Sequence, residues 1–153
     1  MEGTEQISVK FKAVHPNAKL PFLGKAGDAA FDLHCVEDVS IEPGETKVIS
    51  TGLMVADIQP VESFDGGNVF LWIVGRSGLA SKGIFPIGGI IDSNYRGVIH
   101  VILHNSSKET VKFPACSRIA SMLVMSRLPV KFDFSDTVVN TNRGNSGFGS
   151  TGI

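Results

Sequence analysis

The run Val69-Phe70-Leu71-Trp72-Ile73-Val74 is the longest apolar stretch of the 153-residue chain. It is rich in β-branched and aromatic residues, which favour strands, and both of its alternating faces are apolar. A strand with two apolar faces is expected at the centre of a sheet or under cover on both sides. The run is far too short to span a bilayer, which takes about 20 residues. It therefore predicts a core β-strand around which shorter strands assemble.

Shorter strand patterns flank this run on both sides. Apolar and polar residues alternate over 7–12 and over 31–35, which is typical of half-buried strands. The segments 42–45 and 106–109 are turn signals, and one helical turn is predicted at 79–82 before Gly83. Further strands are predicted at 39–41, 46–55 with a bulge at Gly52, 98–103, 111–113, 118–125 and 130–134. Many short strands without a long amphipathic helix predict an all-β fold, either a jelly-roll-like β-sandwich or a compact β-barrel.

The length indicates a single domain, because a chain of this size buries roughly 70% of its unfolded surface. We place the β-barrel domain at residues 1–134. From Ser135 onward the apolar content falls and glycine becomes frequent, which is typical of a mobile terminus. Residues 135–153 are therefore predicted to form a flexible C-terminal arm.

The composition is that of a globular protein, with 42% hydrophobic and 19% charged residues. A formal net charge of −1 provides no general attraction to nucleic acid or to acidic membranes. The polar and acidic start of the chain is not typical of a secretory signal. We therefore expect a soluble intracellular protein without nucleic acid or membrane partners, in which any anion site is built locally.

The two cysteines, Cys35 and Cys116, and the four histidines show no spacing typical of metal ligands. Both cysteines lie among apolar residues, which favours buried free thiols. A single disulfide between them is the alternative, although no other feature indicates an oxidising compartment.

A stretch bounded by glycines, residues 88–97, contains one carboxylate and one phenol, Asp92 and Tyr95. The apolar pairs at 90–91 and 98–99 are interpreted as the two strands of a hairpin, with both groups at its mouth. A carboxylate in that place can act as a general base. The alternative is an ordinary surface turn, because Asp, Ser, Asn and Gly are common turn residues.

A second candidate site, Gly75-Arg76-Ser77-Gly78, directly follows the apolar run. The arginine fork matches phosphate oxygens, and backbone amides flanked by glycine can form an anion-binding nest. The alternative is a bend with a surface arginine. Asp32, on the polar face of the 31–35 strand, could reach a hydrated Mg²⁺ ion, or it could simply be solvated.

A third candidate site is the glycine-rich end of the chain. Residues 147–152 match G-x-G-x-x-G formally, but a dinucleotide site requires this pattern between a strand and a helix. The alternatives are a flexible low-complexity terminus and a lid that closes over a nucleotide. For a lid, Arg143 provides a cation, Ser150 and Thr151 provide hydroxyls, and Phe148 provides a face for base stacking.

Taken together, five stretches resemble the five motifs of the trimeric dUTPase family, in the same order and over nearly the whole chain. They are residues 29–33, 75–80, 89–97, 117–120 and 143–152. The resemblance implies a jelly-roll homotrimer with three active sites, each assembled from all three subunits. It also implies hydrolysis of dUTP to dUMP and diphosphate with Mg²⁺.

The resemblance further implies a role for each candidate residue. Asp92 would activate the water that attacks the α-phosphorus, and Tyr95 would pack against the deoxyribose and exclude a 2′-hydroxyl. Asp32 would reach Mg²⁺ through water. The uracil edge would be read by the backbone of Gly89, Ile90 and Ile91, with the amide of His100, and covered by Phe148. The phosphates would be bound by Arg76, Ser77 and Gly78, and the γ-phosphate by Arg143, Gly149, Ser150 and Thr151.

Three positions differ from the family pattern. Gly75 stands where a proline is usual, and Ser121 stands where a glutamine usually contacts phosphate. The segment 59–68 is longer than is typical and could be an added contact surface for a regulatory protein partner.

Two other functions are considered. A dCTP deaminase-like enzyme of the same fold would need a glutamate at the position of Ile102, and isoleucine cannot transfer protons. A nucleotide-gated regulatory binding protein would use the 59–68 segment, although the complete set of catalytic residues favours an enzyme.

Overall fold

The computed structural model describes residues 6–59 and 68–145 of the chain. The regular elements in these ranges are β1 (Ser8–Ala13), β2 (Phe31–His34), β3 (Val39–Ile41), β4 (Thr46–Gln59), β5 (Val69–Val74), α1 (Ser77–Ala80), β6 (Ile84–Pro86), β7 (Ile90–Ile91), β8 (Val98–Asn105), β9 (Val111–Phe113) and β10 (Arg118–Ser126). The prediction of an all-β fold is confirmed. The described ranges contain no helix long and apolar enough to cross a membrane.

The strands form two four-stranded antiparallel sheets and one two-stranded sheet. The strand orders are β1-β4-β8-β6, β2-β10-β5-β7 and β3-β9. The core lies between the larger sheets, where alternate side chains point inward from both. Ile99, Val101 and Leu103 of β8 are fully buried there, together with Leu71 and Ile73 of β5.

The apolar run, β5, lies between β10 and β7. Its inward residues Leu71 and Ile73 are buried, but Trp72 is 41% exposed. The prediction of a strand at the centre of a sheet is therefore confirmed, whereas its alternative, a strand covered on both faces, does not hold in the single chain. Trp72 pairs across the sheet with Ile90 on one side and with Leu123 on the other, so an apolar row lies on the outer face.

The prediction of a hairpin at 88–97 is also wrong. β7 pairs with β5 through Leu71 and Ile91, whereas β8 pairs with β4 and β6. Residues 92–97 consequently cross from one large sheet to the other. Local patterns indicate where strands lie, but strand pairing is decided by which faces the core can bury.

The predicted strand at 130–134 does not form in the single chain. Residues 127–145 contain no helix or strand, and Val130, Phe132 and Phe134 are 57%, 91% and 110% exposed. An alternating pattern needs a neighbouring strand and an apolar surface before it can become a β-strand. The described residues of the same chain provide neither a neighbouring strand nor an apolar surface for this segment.

Two glycine predictions are confirmed. Gly52 has a φ of +66°, and the β4–β8 register shifts between Ser50 and Met54. A side chain at Gly52 would come within 2.8 Å of the Cβ of His15, so the bulge requires glycine. Gly83, with a φ of +82°, ends the helical turn, although that turn begins at Ser77 and not at Leu79.

Candidate active site

Asp32 is the centre of a charged cluster built from three parts of the chain. Its Oδ1 lies 3.2 Å from Nε of Arg76, and its Oδ2 lies 3.1 Å from a terminal nitrogen of Arg118. The hydroxyl of Ser121 donates to Oδ1 at 3.4 Å. The Asp32 side chain is only 15% exposed, so the alternative of a simply solvated carboxylate is excluded.

The strand β10 assembles this cluster. Ser121 of β10 stands opposite Asp32 of β2 on one side and opposite Val74 of β5 on the other. Arg76 follows two residues after Val74, and its guanidinium also donates to the backbone carbonyl of Arg118 at 3.2 Å. The arginine is therefore held in position before any ligand arrives.

Two open clefts adjoin the cluster. The first has a volume of about 570 Å³ and presents Arg76, Ser77, Gly78, Lys82 and Ser121 to solvent. Two cations and two hydroxyls in one cleft suit an anionic ligand. The second cleft, of about 500 Å³, lies on the side of Asp32 and Arg118 and shares Arg76 and Ser121 with the first. Arg76 thus faces both clefts.

The loop that carries Asp92 and Tyr95 is braced by its own backbone. The Tyr95 amide donates to the Asp92 carbonyl at 3.0 Å, which closes a turn. The Arg96 guanidinium donates to the carbonyl of Ser93 at 2.9 Å and to that of Tyr95 at 3.0 Å. Asp92 is the first residue of this turn and is exposed, so a water molecule can reach it.

The tyrosine ring lies directly over a glycine. The Tyr95 hydroxyl donates to the Val98 carbonyl at 3.2 Å, which draws the ring back over its own loop. A Cβ atom at Gly97 would overlap the phenol oxygen and Cζ of Tyr95. Glycine at position 97 therefore leaves room for the Tyr95 ring over the loop backbone. The tyrosine is still 42% exposed.

The start of the same stretch is anchored to β5. The Ile73 amide donates to the Gly89 carbonyl at 2.8 Å, and Gly88 and Gly89 have φ values of +70° and +108°. A Cβ atom at Gly89 would stand 2.6 Å from the Ile73 carbonyl oxygen. This close backbone approach sets the position of Ile90 and Ile91.

The structure therefore places the predicted residues in separate groups. Arg76, Ser77 and Gly78 lie together with Asp32, whereas Asp92 and Tyr95 line neither of the two clefts around Arg76. Arg143 lies in the exposed segment after β10. Phe148, Gly149, Ser150 and Thr151 lie outside the described residues, as does nearly all of the predicted contact segment 59–68.

The ion pair between Arg118 and Asp32 was not predictable from local sequence. The two residues are 86 positions apart and meet only because β2 and β10 pair. The resemblance of residues 117–120 to a family motif was the one signal that pointed to Arg118. Lys82, in the first cleft, had no such signal.

His34 lies beside the cluster, opposite Arg118 in the β2–β10 register. Its Nδ1 is buried and has no hydrogen-bond partner in the described part of the chain. Burial lowers the pKa of the imidazole, and the nearby Lys19, Arg118 and Arg76 lower this pKa further against the opposing effect of Asp32. The ring therefore resists protonation next to the arginines.

Within residues 6–59 and 68–145, no group of three or more His, Cys, Asp or Glu side chains could hold a metal ion. Asp32 is the carboxylate of the arginine cluster, and both of its oxygens contact arginines. A site made of protein ligands alone is therefore not formed by the described residues.

Sequence comparison identifies close relatives along nearly the full length. A dUTPase family model matches residues 16–152. The chain is 42% identical over 149 residues to the deoxyuridine 5'-triphosphate nucleotidohydrolase of Picosynechococcus sp., and the match covers 95% of this chain and 99% of the relative.

Structural comparison shows the same fold. The Staphylococcus bacteriophage 80alpha dUTPase solved with dUPNHPP superposes with a TM-score of 0.81 at 21% identity, covering 95% of this chain and 99% of that one. A dUTPase mutant from phage phi11 of S. aureus, solved to describe a structural Mg(II) ion, gives a TM-score of 0.72 at 18% identity, covering 87% and 99%. The expectation of a jelly-roll fold is confirmed by these similarities.

Proposed function

The chain belongs to the dUTPase family and hydrolyses dUTP to dUMP and diphosphate, and from this premise we propose the role of each site residue. The observation that carries these assignments is the convergence of Arg76 and Arg118 on one carboxylate, Asp32, between two open clefts. Phosphoryl transfer depends mainly on positioning and charge neutralisation, and such a cluster supplies both.

The first cleft binds the phosphate chain. Arg76 offers several donors to the phosphate oxygens, and Ser77 and Gly78 follow it at the edge of the same cleft. Lys82 adds a second cation there. Ser121, with a shorter side chain than the usual glutamine, reaches the phosphates only through water.

Asp32 fits a magnesium ion that arrives with the substrate. Mg²⁺ in nucleotide sites usually keeps several waters and is held by one or two carboxylates together with substrate phosphates. Asp32 supplies one carboxylate at the mouth of the second cleft and would contact the ion through water. The bound ion would neutralise charge on the triphosphate. Asp32 also holds both arginines ready, which is a role it has without the ion.

Asp92 is the general base. Its exposed carboxylate accepts a proton from the water that attacks the α-phosphorus. Tyr95 lies three residues further along the same turn and presents its ring to the deoxyribose. The ring fills the space over Gly97, and in this position it would clash with a 2′-hydroxyl.

The uracil edge is read by the backbone of Gly89, Ile90 and Ile91. β7 is the last strand of its sheet, so no strand of the described chain uses the backbone groups on its outer side. Backbone amides and carbonyls in this position can form hydrogen bonds with a pyrimidine edge in the way that one strand pairs with another. His100, whose amide belongs to β8, lies after the loop and completes the base site.

A complete site needs more than one copy of the chain. The base loop and the arginine cluster lie apart in a single chain, and Trp72, Ile90 and Leu123 leave an apolar row on the outer sheet face. Phe132 and Phe134 are fully exposed beyond β10. A homotrimer with shared active sites would cover these apolar surfaces. The arm of a further subunit would then supply Phe148 over the uracil and Arg143, Gly149, Ser150 and Thr151 to the γ-phosphate.

The decisive experiment measures diphosphate release from dUTP, dTTP, dCTP and UTP. We expect rapid release from dUTP alone, because the backbone at 89–91 is proposed to read the uracil edge and Tyr95 to exclude ribose. Equal turnover of UTP would contradict the role of Tyr95. Ammonia release from dCTP would contradict the assignment as a dUTPase. We expect none, because Ile102 provides no acid or base for deamination.

A regulatory partner at 59–68 stays a prediction, since that segment lies almost wholly outside the described residues.

A further inference from the structure

The two cysteines of the chain are direct neighbours across the backbone. The Cys116 amide donates to the Cys35 carbonyl at 2.9 Å, and the Cys35 amide donates to the Ser117 carbonyl at 3.0 Å. Two residues of one strand thus oppose one residue of the other, which is the arrangement of a β-bulge. A direct backbone hydrogen bond between the two residues keeps their Cα atoms close, and disulfides span Cα separations of about 4.4–6.8 Å.

Cys116 occupies a backbone conformation that favours glycine. Its φ is +66°, and among the described residues it is the one non-glycine residue with a positive φ. It stands in the turn closed by the hydrogen bond from the Ser117 amide to the Pro114 carbonyl, at 3.1 Å. The left-handed conformation is unfavourable for an L-residue, and the first residue of such a bulge is commonly glycine. The backbone conformation at this position thus favours glycine over cysteine, which points to a chemical role for the Cys116 thiol.

The two thiols differ in access. Cys35 is fully buried, and its Sγ donates to the Pro114 carbonyl at 3.3 Å. Burial raises the pKa of the Cys35 thiol, so its thiolate is scarce. Cys116 is only partly buried, and both cysteines are free. An oxidant from solvent therefore meets Cys116 first, with Cys35 behind it as the resolving thiol.

We propose that Cys35 and Cys116 form a redox-active dithiol, which hydrogen peroxide converts to a disulfide that disturbs the arginine cluster. The Cys116 thiolate attacks one peroxide oxygen, which yields a sulfenic acid and hydroxide. The Cys35 sulfur then attacks the sulfenic sulfur, the S–S bond forms, and the sulfenic oxygen leaves as water with the Cys35 proton. The peroxide takes up the two electrons that the thiols lose.

The bridge would act on the site through two strand ends. Cys35 follows directly after β2, three residues from Asp32, and Cys116 lies two residues before Arg118, the first residue of β10. Drawing the two sulfurs together shifts the same strand ends that hold Asp32 and Arg118 at 3.1 Å. A displacement of about 1 Å in a catalytic site can cost about 100-fold in rate. This consequence rests on the proposed function of the cluster, whereas formation of the bridge does not.

The test treats the full-length protein with hydrogen peroxide and then follows intact mass, non-reduced peptide maps and dUTP turnover. We expect the loss of two hydrogen atoms per chain, a Cys35–Cys116 linked peptide, and a fall in turnover of about tenfold or more that dithiothreitol reverses. Cys116→Ser and Cys35→Ser are the matched controls, and neither should lose turnover reversibly. Cys116→Gly should fold at least as well as the natural chain, because glycine favours this φ, and should not respond to peroxide.

Oxidation to sulfinic acid, or bridges between chains without a Cys35–Cys116 link, would overturn the dithiol. A fully bridged protein with unchanged turnover would overturn its effect on the site. Failure of the reduced natural chain to hydrolyse dUTP would overturn the proposed function instead, and the mass measurement would still decide whether the bridge forms.

Discussion

The carboxylate of Asp32 holds the guanidinium of Arg76, with 3.2 Å between Oδ1 and Nε. The same carboxylate binds Arg118 through its other oxygen, so one acidic side chain positions two cations. The Arg118 pair joins β2 to β10, Arg76 lies just after β5 of the same sheet, and the Asp32 side chain is largely shielded from solvent. Both arginines are thus held in place in the absence of a ligand, and under the proposed phosphate-binding role this reduces the cost of ordering them on binding.

Asp32→Asn is expected to lower dUTP turnover by about 10–100-fold, a typical effect of losing a supporting contact at a metal site. The neutral amide holds the arginines more weakly and also weakens the water-mediated contact to Mg²⁺. The measurement is turnover as a function of Mg²⁺ concentration. The variant should need a higher Mg²⁺ concentration than the natural chain to reach half of its maximal rate. Asp57→Asn, on β4 opposite Lys10, is the matched control. An unchanged Mg²⁺ dependence would show that Asp32 has no part in the metal site.

Asp92→Asn is expected to bind the non-hydrolysed analogue dUPNHPP normally and to lose turnover by about 10²–10⁴-fold, the usual contribution of a general base. The amide cannot accept the proton from water, while the loop hydrogen bonds use backbone groups and remain. Calorimetric titration tests the expected binding of the analogue, and turnover measured on the same preparation tests the expected loss of catalysis. Asp133→Asn, another exposed carboxylate, should behave like the natural chain. Near-normal turnover of the Asp92 variant would exclude it as the base.

Gly97→Ala is expected to reduce the preference for dUTP over UTP by about tenfold or more, a typical cost of an altered steric pocket. The added methyl group takes the space of the Tyr95 ring and moves the ring off its glycine. Tyr95→Phe is the informative comparison, because it keeps the ring and loses only the hydrogen bond to the Val98 carbonyl. It should retain most of the preference. Equal selectivity in both variants would argue against ring placement as the sugar filter.

Truncation after Asn142 is expected to lower turnover by at least about 100-fold, the scale of losing one preorganised donor. The shortened chain lacks Arg143 and the glycine-rich residues proposed to cover the uracil and γ-phosphate. It keeps Phe132 and Phe134, so light scattering should give the same assembly as the full chain. A truncated protein with normal turnover would remove the lid from the mechanism.

The fold is expected to lose stability as the pH falls below the ordinary pKa of histidine, near 6.5. Folding lowers the pKa of His34, chiefly by burial and then through Lys19. The unfolded chain therefore binds a proton more readily than the folded chain. The stabilisation is complete above that value and is lost as the pH falls toward the lowered pKa. Urea denaturation at several pH values measures this slope. His34→Gln should flatten this slope, and an unchanged slope in that variant would contradict the role of His34.

The sequence alone determined the elements and most of the chemistry. The alternation over 31–35, the apolar-rich segments 69–74 and 98–103 and the special glycines at 52 and 83 are local signals, and the structure follows them. Fold class and family could be predicted because strand periodicity and the order of the motifs are properties of the linear chain. Candidate residues such as Arg76 could be named for the same reason, since their types already limit their chemistry.

Only the tertiary structure decided how these parts meet. β7 joins β5 and not β8, because burying Ile91 beside Leu71 fills the core and a local hairpin would not. Asp32 and Arg118 become partners across 86 residues through the pairing of β2 with β10. The exposure of Trp72 and the absence of a strand at 130–134 are likewise seen only in the folded chain. Pairing and burial depend on surfaces that are distant in sequence, so no local pattern can specify them.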